Sequence, residues 1–260
     1  MSSTTHTERT AAQSRSPTLH PVTLTTITTP NPTIRILTLR TQHPITFLPG
    51  QWLDVHIPSL PKPGGFTITS TPTASSVAGG HIELAVQASD NPPAAWLWRR
   101  EEQILGSQLR VRVGGDFVWP REGIQRALFV AGGVGINPLI SMLAHVVETE
   151  TPLEALDFMY TTKAPPPGSQ ILFLSRLLGL RARRPDLRVH LFLTSPAPPL
   201  DHGPDIAVHT RRLTSSDFAE VLGASGPHTT AFVCGPPDMT DDAVEQLRDR
   251  TGAVHCEKWW

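Results

Sequence analysis

The chain has 260 residues, which suits one large or two medium domains with a real core. Its formal net charge is −1 at pH 7, so no nucleic-acid footprint is expected. The two cysteines, Cys234 and Cys256, give no disulfide framework and cannot supply the four thiolates of an iron–sulfur cluster. The 11 histidines are scattered without a metal-ligand spacing, so no metal site is expected.

Residues 1–18 are rich in Ser and Thr and carry Arg9 and Arg15 beside Glu8. They read as a disordered tail, with a weak mitochondrial presequence as the alternative. Short β-type runs follow at Val22–Thr28, Ile34–Leu39, Trp52–Pro58, Phe66–Ser70, Ile82–Gln87 and Gln108–Val113, with one helical stretch at Pro93–Arg100. Pro and Gly punctuate them, and the pattern predicts a six-stranded antiparallel Greek-key β-barrel over 19–120.

From Ala127 the rhythm becomes strand, helix, strand. Strands are expected at Ala127–Ala131, Ala155–Tyr160, Leu187–Thr194, Thr230–Cys234 and Val254–Trp259. Helices are expected over Leu139–Val147, Gln170–Arg183, Ser215–Leu222 and Asp241–Arg250. Alternation of this kind implies a parallel sheet covered by helices, an α/β nucleotide-binding domain over 121–260.

The turn after its first strand reads Gly132-Gly133-Val134-Gly135-Ile136-Asn137-Pro138. Glycines there allow close backbone approach to a phosphate, and the first N–H groups of the following helix face an anion. Asn137 is expected as the helix cap, with Pro138 in the first turn. The same residues break the uncharged run Ala127–Val147 in its middle, so no transmembrane span is expected. A second special turn, Cys234-Gly235-Pro236-Pro237, ends the fourth strand on the same rim of the sheet.

Three segments, Pro49-Gly50-Gln51-Trp52 leading to Phe66–Ser70, Gly132–Pro138, and Cys234–Met239, together resemble the ferredoxin–NADP reductase superfamily. Asn91-Pro92-Pro93-Ala94 and the ending Cys256-Glu257-Lys258-Trp259-Trp260 look like the eukaryotic oxidoreductase NAD-binding domain-containing group. The resemblance implies a flavin-dependent NAD(P)H oxidoreductase that passes hydride from nicotinamide to FAD and electrons to a separate acceptor, protein or small molecule. It also implies a mitochondrial location, or a cytoplasmic one if residues 1–18 are not a presequence.

In the family's flavin motif the places of Arg, Tyr, Ser or Thr, and a second Ser or Thr fall here on Gly64, Phe66, Thr67 and Ser70. The resemblance puts Phe66 against the isoalloxazine, Thr67 near flavin N5, and Cys234 against nicotinamide C4, with Glu257 as a nearby carboxylate. Thr67, Cys234 and Glu257 thus form the implied catalytic set. Phe66, Thr67, Ser70, Gly132, Gly133, Val134, Gly135, Asn137, Pro138, Cys234, Gly235, Pro236, Trp259 and Trp260 form the implied cofactor set, a terminal tryptophan covering the flavin.

Gly64 departs from the family Arg that neutralises the flavin pyrophosphate. Weak FAD binding, FMN, an exchangeable flavin or none at all follow as alternatives. The non-enzymatic version is an NAD(H)-binding scaffold or interaction protein. At the end of the second strand, Tyr160-Thr161-Thr162-Lys163 offers one cation for a 2′-phosphate, which favours NADH over NADPH.

Overall fold

The computed structural model describes residues 6–120, 123–195 and 206–259. The chain divides into two compact units. One takes in the chain up to Trp119 together with Trp259, and the other is Pro120–Lys258. Trp260, the other implied flavin-covering residue, lies outside the described residues.

The first unit contains α1 (His6–Arg9), β1 (His20–Asn31), β2 (Ile34–Thr41), β3 (Trp52–His56), β4 (Gly64–Thr67), β5 (His81–Gln87), α2 (Pro92–Leu97), α3 (Glu101–Ile104) and β6 (Gln108–Gly114). The strands form one sheet in the order β4-β3-β6-β1-β2-β5, every neighbour antiparallel. Just beyond β4, Ile68 bridges Leu84 and the Thr69 N–H donates to the Glu83 carbonyl, so the two ends of the sheet meet. Alternation explains the layout: Val22 and Leu24, Leu37 and Leu39, Leu53 and Val55, and Ile82 and Leu84 all point into one buried core. This is the expected six-stranded barrel.

Its β4 runs Gly64–Thr67 rather than Phe66–Ser70. The reason lies in side-chain and backbone bonds that take Thr69 and Ser70 across to β5: Thr69 Oγ1 donates to Glu83 Oε1 and the Glu83 N–H donates to Ser70 Oγ.

The larger correction concerns the expected tail. Residues 6–16 pack on the barrel. The Ser16 N–H donates to the Val113 carbonyl and the Gly115 N–H to the Ser14 carbonyl, extending the ladder at the end of β6. The His6 and Arg15 side chains reach Asp54 on β3, and Gln13 accepts from the Trp52 indole. Long-range ion pairing and backbone pairing hold a segment whose composition alone reads as disordered.

The second unit contains β7 (Arg126–Gly132), α4 (Ile136–Glu148), β8 (Ala155–Thr162), α5 (Leu174–Arg183), β9 (Leu187–Leu193), β10 (Ala207–His209), α6 (Ser215–Leu222), β11 (Thr229–Cys234), α7 (Pro237–Arg248) and β12 (Ala253–Glu257). All neighbours in the order β10-β9-β8-β7-β11-β12 are parallel. Its central strands are covered on both faces, so they read as continuous apolar runs, Ala127–Ala131 and Ala231–Cys234 being fully buried. Together the two units give the expected fold class.

Element ends differ in instructive ways. β10 is three residues long and carries no legible pattern. α5 starts at Leu174 rather than Gln170, because Phe173 sits in the left-handed region at φ 59° and cannot join the helix. α7 starts at Pro237, ahead of the expected Asp241, since proline lacks only an N–H that has no partner in the first turn. β12 stops at Glu257, whose register partner Cys234 is the last residue of β11. Lys258 turns away to pair with Asp241, and Trp259 belongs with the barrel unit.

Candidate functional site

In the parallel sheet the strand order reverses between β7 and β11. The chain leaves β7 through α4 toward β8 on one side, while β11 and β12 lie on the other. Ligands of open α/β sheets bind at such a reversal, beyond the carboxyl ends of the strands. Both special turns sit there. The Gly132 turn follows β7, the Cys234 turn follows β11, and Ala131 is in register with Cys234.

The glycines divide into two jobs. A methyl on Gly135 would meet the Cys234 carbonyl oxygen at 2.3 Å, and one on Gly132 would meet Met239 Sδ and Pro236 Cδ at 2.6 Å. These two let the turns mesh. Gly133 is different: its φ is 52° and a Cβ there would meet nothing within 4 Å, so its backbone is open to a ligand. Gly133–Gly135, with Val134 half-buried between them, makes one 3-10 turn before α4.

That turn moves the helix cap. Gly135 holds the cap position, and Asn137 is the second residue of α4, 7% exposed, with Pro138 behind it in the first turn. Asn137 is therefore not the cap that its residue type suggests. The 13-residue helix still offers the N–H groups of its first turn, at the positive end of its dipole.

Cys234 is buried, and burial followed by the neighbouring Glu257 charge pushes its thiol pKa well up. It stays a neutral thiol at working pH, which suits contact and polarisability and not nucleophilic attack. Glu257 lies beside it across the β11–β12 ladder and is only 4% exposed. Gly235 is half-buried and Pro236 exposed at the rim. At the end of β8, Tyr160 is fully buried, and that burial raises its phenol pKa, while Lys163 is exposed. The second unit thus brings together Gly132, Gly133, Val134, Gly135, Asn137, Pro138, Cys234, Gly235, Pro236 and Glu257.

In the barrel, Gly64 and Phe66 share the face of Val55 and Leu53, their register partners, and Phe66 packs on the core. A methyl on Gly64 would lie 2.5 Å from Pro93 Cβ and 2.6 Å from the Phe66 ring. The space beside Gly64 is filled by apolar groups. Gly65 and Thr67 share the other face with Asp54 and Trp52. There a methyl on Gly65 would lie 2.0 Å from the His6 ring. His6 also meets Trp52 edge-on at 4.6 Å between ring centroids and stacks on Trp259 at 5.8 Å. Thr67 is buried on this face, while Thr69 and Ser70 are spent on β5.

Sequence reasoning missed the charge cluster at the centre of this face. Asp54 has no exposed side-chain surface and accepts from His6 Nε2 at 3.0 Å, Arg15 Nε at 3.1 Å and Arg112 Nη2 at 2.7 Å. Burial alone would raise its carboxyl pKa, but His6, Arg112 and Arg15 together overcome that and hold it at about 2. The available signal was a lone acid on the outward face of a strand otherwise apolar at Trp52, Leu53 and Val55.

Residues 129–245 match the family model described as the oxidoreductase NAD-binding domain. Oxidoreductase NAD-binding domain-containing protein 1 of Xenopus laevis is 31% identical over 274 residues, covering 99% of this chain and 84% of the relative. The Danio rerio protein of the same name is also 31% identical, covering 99% and 98%. The chain belongs to this family. Its fold is that of the ferredoxin reductases: a ferredoxin NADP+ reductase from Neisseria gonorrhoeae with bound FAD and NADP superposes with a TM-score of 0.73 at 16% identity, covering 93% of this chain and 99% of that one.

The residues present fit a dinucleotide and a flavin unequally. The dinucleotide side fits, with Gly133 open at the strand reversal and the start of α4 behind it. The flavin side in the arrangement described does not fit. The place of an Arg at Gly64 is taken by Pro93 and Phe66, and the face of Thr67 is covered at Gly65 by His6. α2 starts with two prolines that have no N–H to offer a phosphate.

Proposed function

We propose that this chain is an NAD(P)H-dependent oxidoreductase that would pass hydride to a flavin admitted to the barrel once the His6 cover at Gly65 has moved, and electrons onward to a separate acceptor. The observation that carries this reading is the meshing of the Gly132 and Cys234 turns at the strand reversal, with Gly133 alone left open. The gonococcal reductase with FAD and NADP supports the cofactor pair. A flavin, when bound, takes a hydride as an electron pair and can release electrons singly.

The chain's own residues do the positioning. Gly133 and the first turn of α4 would receive the dinucleotide pyrophosphate on backbone N–H groups. Cys234, held neutral by burial, would give the nicotinamide a firm, polarisable neighbour without competing chemistry. Gly235 and Pro236 would shape the rim beside it, and Glu257 would supply the carboxylate next to Cys234. The single exposed cation at the end of β8, Lys163, favours NADH over NADPH.

The second reading is a dinucleotide-binding protein without turnover, and the filled space at Gly64 favours it. Anaerobic absorption spectra of the full-length protein, titrated with FAD and then NADH, separate the two. The oxidoreductase reading expects a protein-bound flavin whose visible band bleaches with NADH. NADH binding with no retained or rebound FAD or FMN would overturn it in favour of the scaffold.

A further inference from the structure

We propose that residues 6–16 form an internal strap over the Gly65–Thr67 face of the barrel, and that the strap must lift before a flavin ring can lie there. The inference rests on the flavin reading above and concerns how the barrel admits that cofactor.

Four observations carry it. First, the strap is anchored by hydrogen bonds and ion pairs of its own as well as by aromatic contacts. His6 and Arg15 converge on Asp54, Arg15 stands 4.9 Å above the centre of the Trp52 ring, and Gln13 accepts from the Trp52 indole. Second, the segment is internally braced: Arg15 donates to the Thr10 carbonyl and Thr10 Oγ1 to the His6 carbonyl. It therefore moves as one piece. Third, the fit depends on a residue of β4. The His6 ring occupies the volume that any side chain at Gly65 would need, and Gly65 has no positive φ that would call for glycine. Fourth, the cover includes a planar aromatic stack: His6 lies 22° from parallel with Trp259, whose carbonyl accepts from Arg9. A flat aromatic ring on the Thr67 face would have to replace the imidazole in that stack.

The chemistry of the anchor suits a reversible device. Asp54 keeps Arg112 as a partner when His6 and Arg15 leave, since Arg112 donates to Asp54 Oδ2 from both Nε and Nη2. Lifting the strap thus removes two of the three side-chain partners and does not leave a buried carboxylate alone. The displaced groups, an imidazole and a guanidinium, are readily hydrated.

Trypsin reads the strap directly, because Arg15 is paired with Asp54 and only 15% exposed when the strap is down. The experiment follows cleavage after Arg15 in the full-length protein with and without FAD, and FAD affinity by flavin fluorescence. Two variants lift the strap from opposite sides: Gly65→Ala, which needs the His6 volume, and His6→Ala with Arg15→Ala, which removes the anchors and leaves β4 intact. The strap predicts faster cleavage after Arg15 in Gly65→Ala than in wild type, and acceleration of wild-type cleavage by FAD. It also predicts about tenfold tighter FAD in the anchor variant, the factor by which a cover closed nine-tenths of the time depresses apparent affinity.

Equal FAD affinity in wild type and anchor variant, with Arg15 equally protected in the FAD-bound protein, overturns the strap and leaves the flavin reading standing. A folded Gly65→Ala variant that opens Arg15 to trypsin, together with a folded anchor variant, neither binding FAD or FMN, overturns the flavin reading, and the strap's role toward it.

Discussion

Two pairs of glycines separate the halves of this molecule. Gly135 is closed off by backbone, the Cys234 carbonyl and Gly235 Cα, and Gly132 by Met239 Sδ, the Pro236 ring and Gly235 Cα of the neighbouring turn. Gly64 and Gly65 are closed off by side chains, the Phe66 ring and Pro93 on one face and the His6 imidazole on the other. Backbone meshing preorganises a rim for a ligand. Side-chain filling occupies the place where a ligand would go. The dinucleotide unit is therefore ready to bind, whereas the barrel is stable in a closed form of its own.

The barrel's closed form is tested most sharply at Asp54. Asp54→Asn removes the carboxylate charge shared by Arg15, Arg112 and the His6 ring, and breaking a buried pair from one side costs about 4 kcal/mol. Urea denaturation at neutral pH should show that loss in the variant. The wild type also carries a pH signature. The Asp54 pKa falls from 3.8 to about 2 on folding, so its contribution is fully present above pH 4 and is lost as pH falls through 2. A shift of that size corresponds to about 2 kcal/mol. Asp54→Asn should flatten this part of the stability profile, and an unchanged slope would mean that the cluster does not hold the closed form.

Next in size is Gly135→Ala. The new methyl presses on the Cys234 backbone, which has no rotamer to yield, and overpacking of this kind costs about 3 kcal/mol. Gly133→Ala is its control, carrying only the backbone penalty of a left-handed residue, about 1 kcal/mol. Denaturation midpoints and NADH titration of the pair decide the matter. If Gly135→Ala is no more damaging than Gly133→Ala, the meshing of the two turns is not what demands glycine there.

Gly64→Arg sharpens the contrast from the other side. It puts back the cation that the ferredoxin reductase pattern calls for, yet its Cβ would collide with Pro93 Cβ and Phe66. The expected result is a loss of about 2 kcal/mol without tighter FAD. Gain of FAD affinity at unchanged stability would show that Phe66 yields freely, and the barrel would then count as a prepared site.

The architecture is legible wherever burial writes a repeating pattern. Ala127–Ala131 and Ala231–Cys234 read as buried parallel strands, and Leu53 and Val55 alternate as a barrel strand should. Residues at those strand ends, such as Cys234 and Glu257, follow once the strands are placed. What escapes is set by distant partners. His6 and Arg15 meet Asp54 across 48 and 39 positions, so composition makes a tail of what charge pairing folds. The end of β12 depends on where β11 stops, and Trp259 looks like strand until that ladder runs out. Asn137 looks like a cap because its residue type favours one, but the 3-10 turn at Gly133–Gly135 starts the helix earlier.

The smallest expected effect distinguishes the two cysteines. Cys256 is exposed on β12, while Cys234, one strand away, is buried with its thiol held neutral by desolvation and by the Glu257 charge. Alkylation needs both access and thiolate. Iodoacetamide at pH 8 should therefore modify Cys256 in the folded protein and leave Cys234 intact, as peptide mass mapping would show. NADH affinity should not change, because Cys256 lies outside the residues grouped at the strand reversal. Labelling of Cys234 at a comparable rate would mean that the rim between β7 and β11 opens in solution. The fixed backbone closure on which the comparison of the two glycine pairs depends would then be lost.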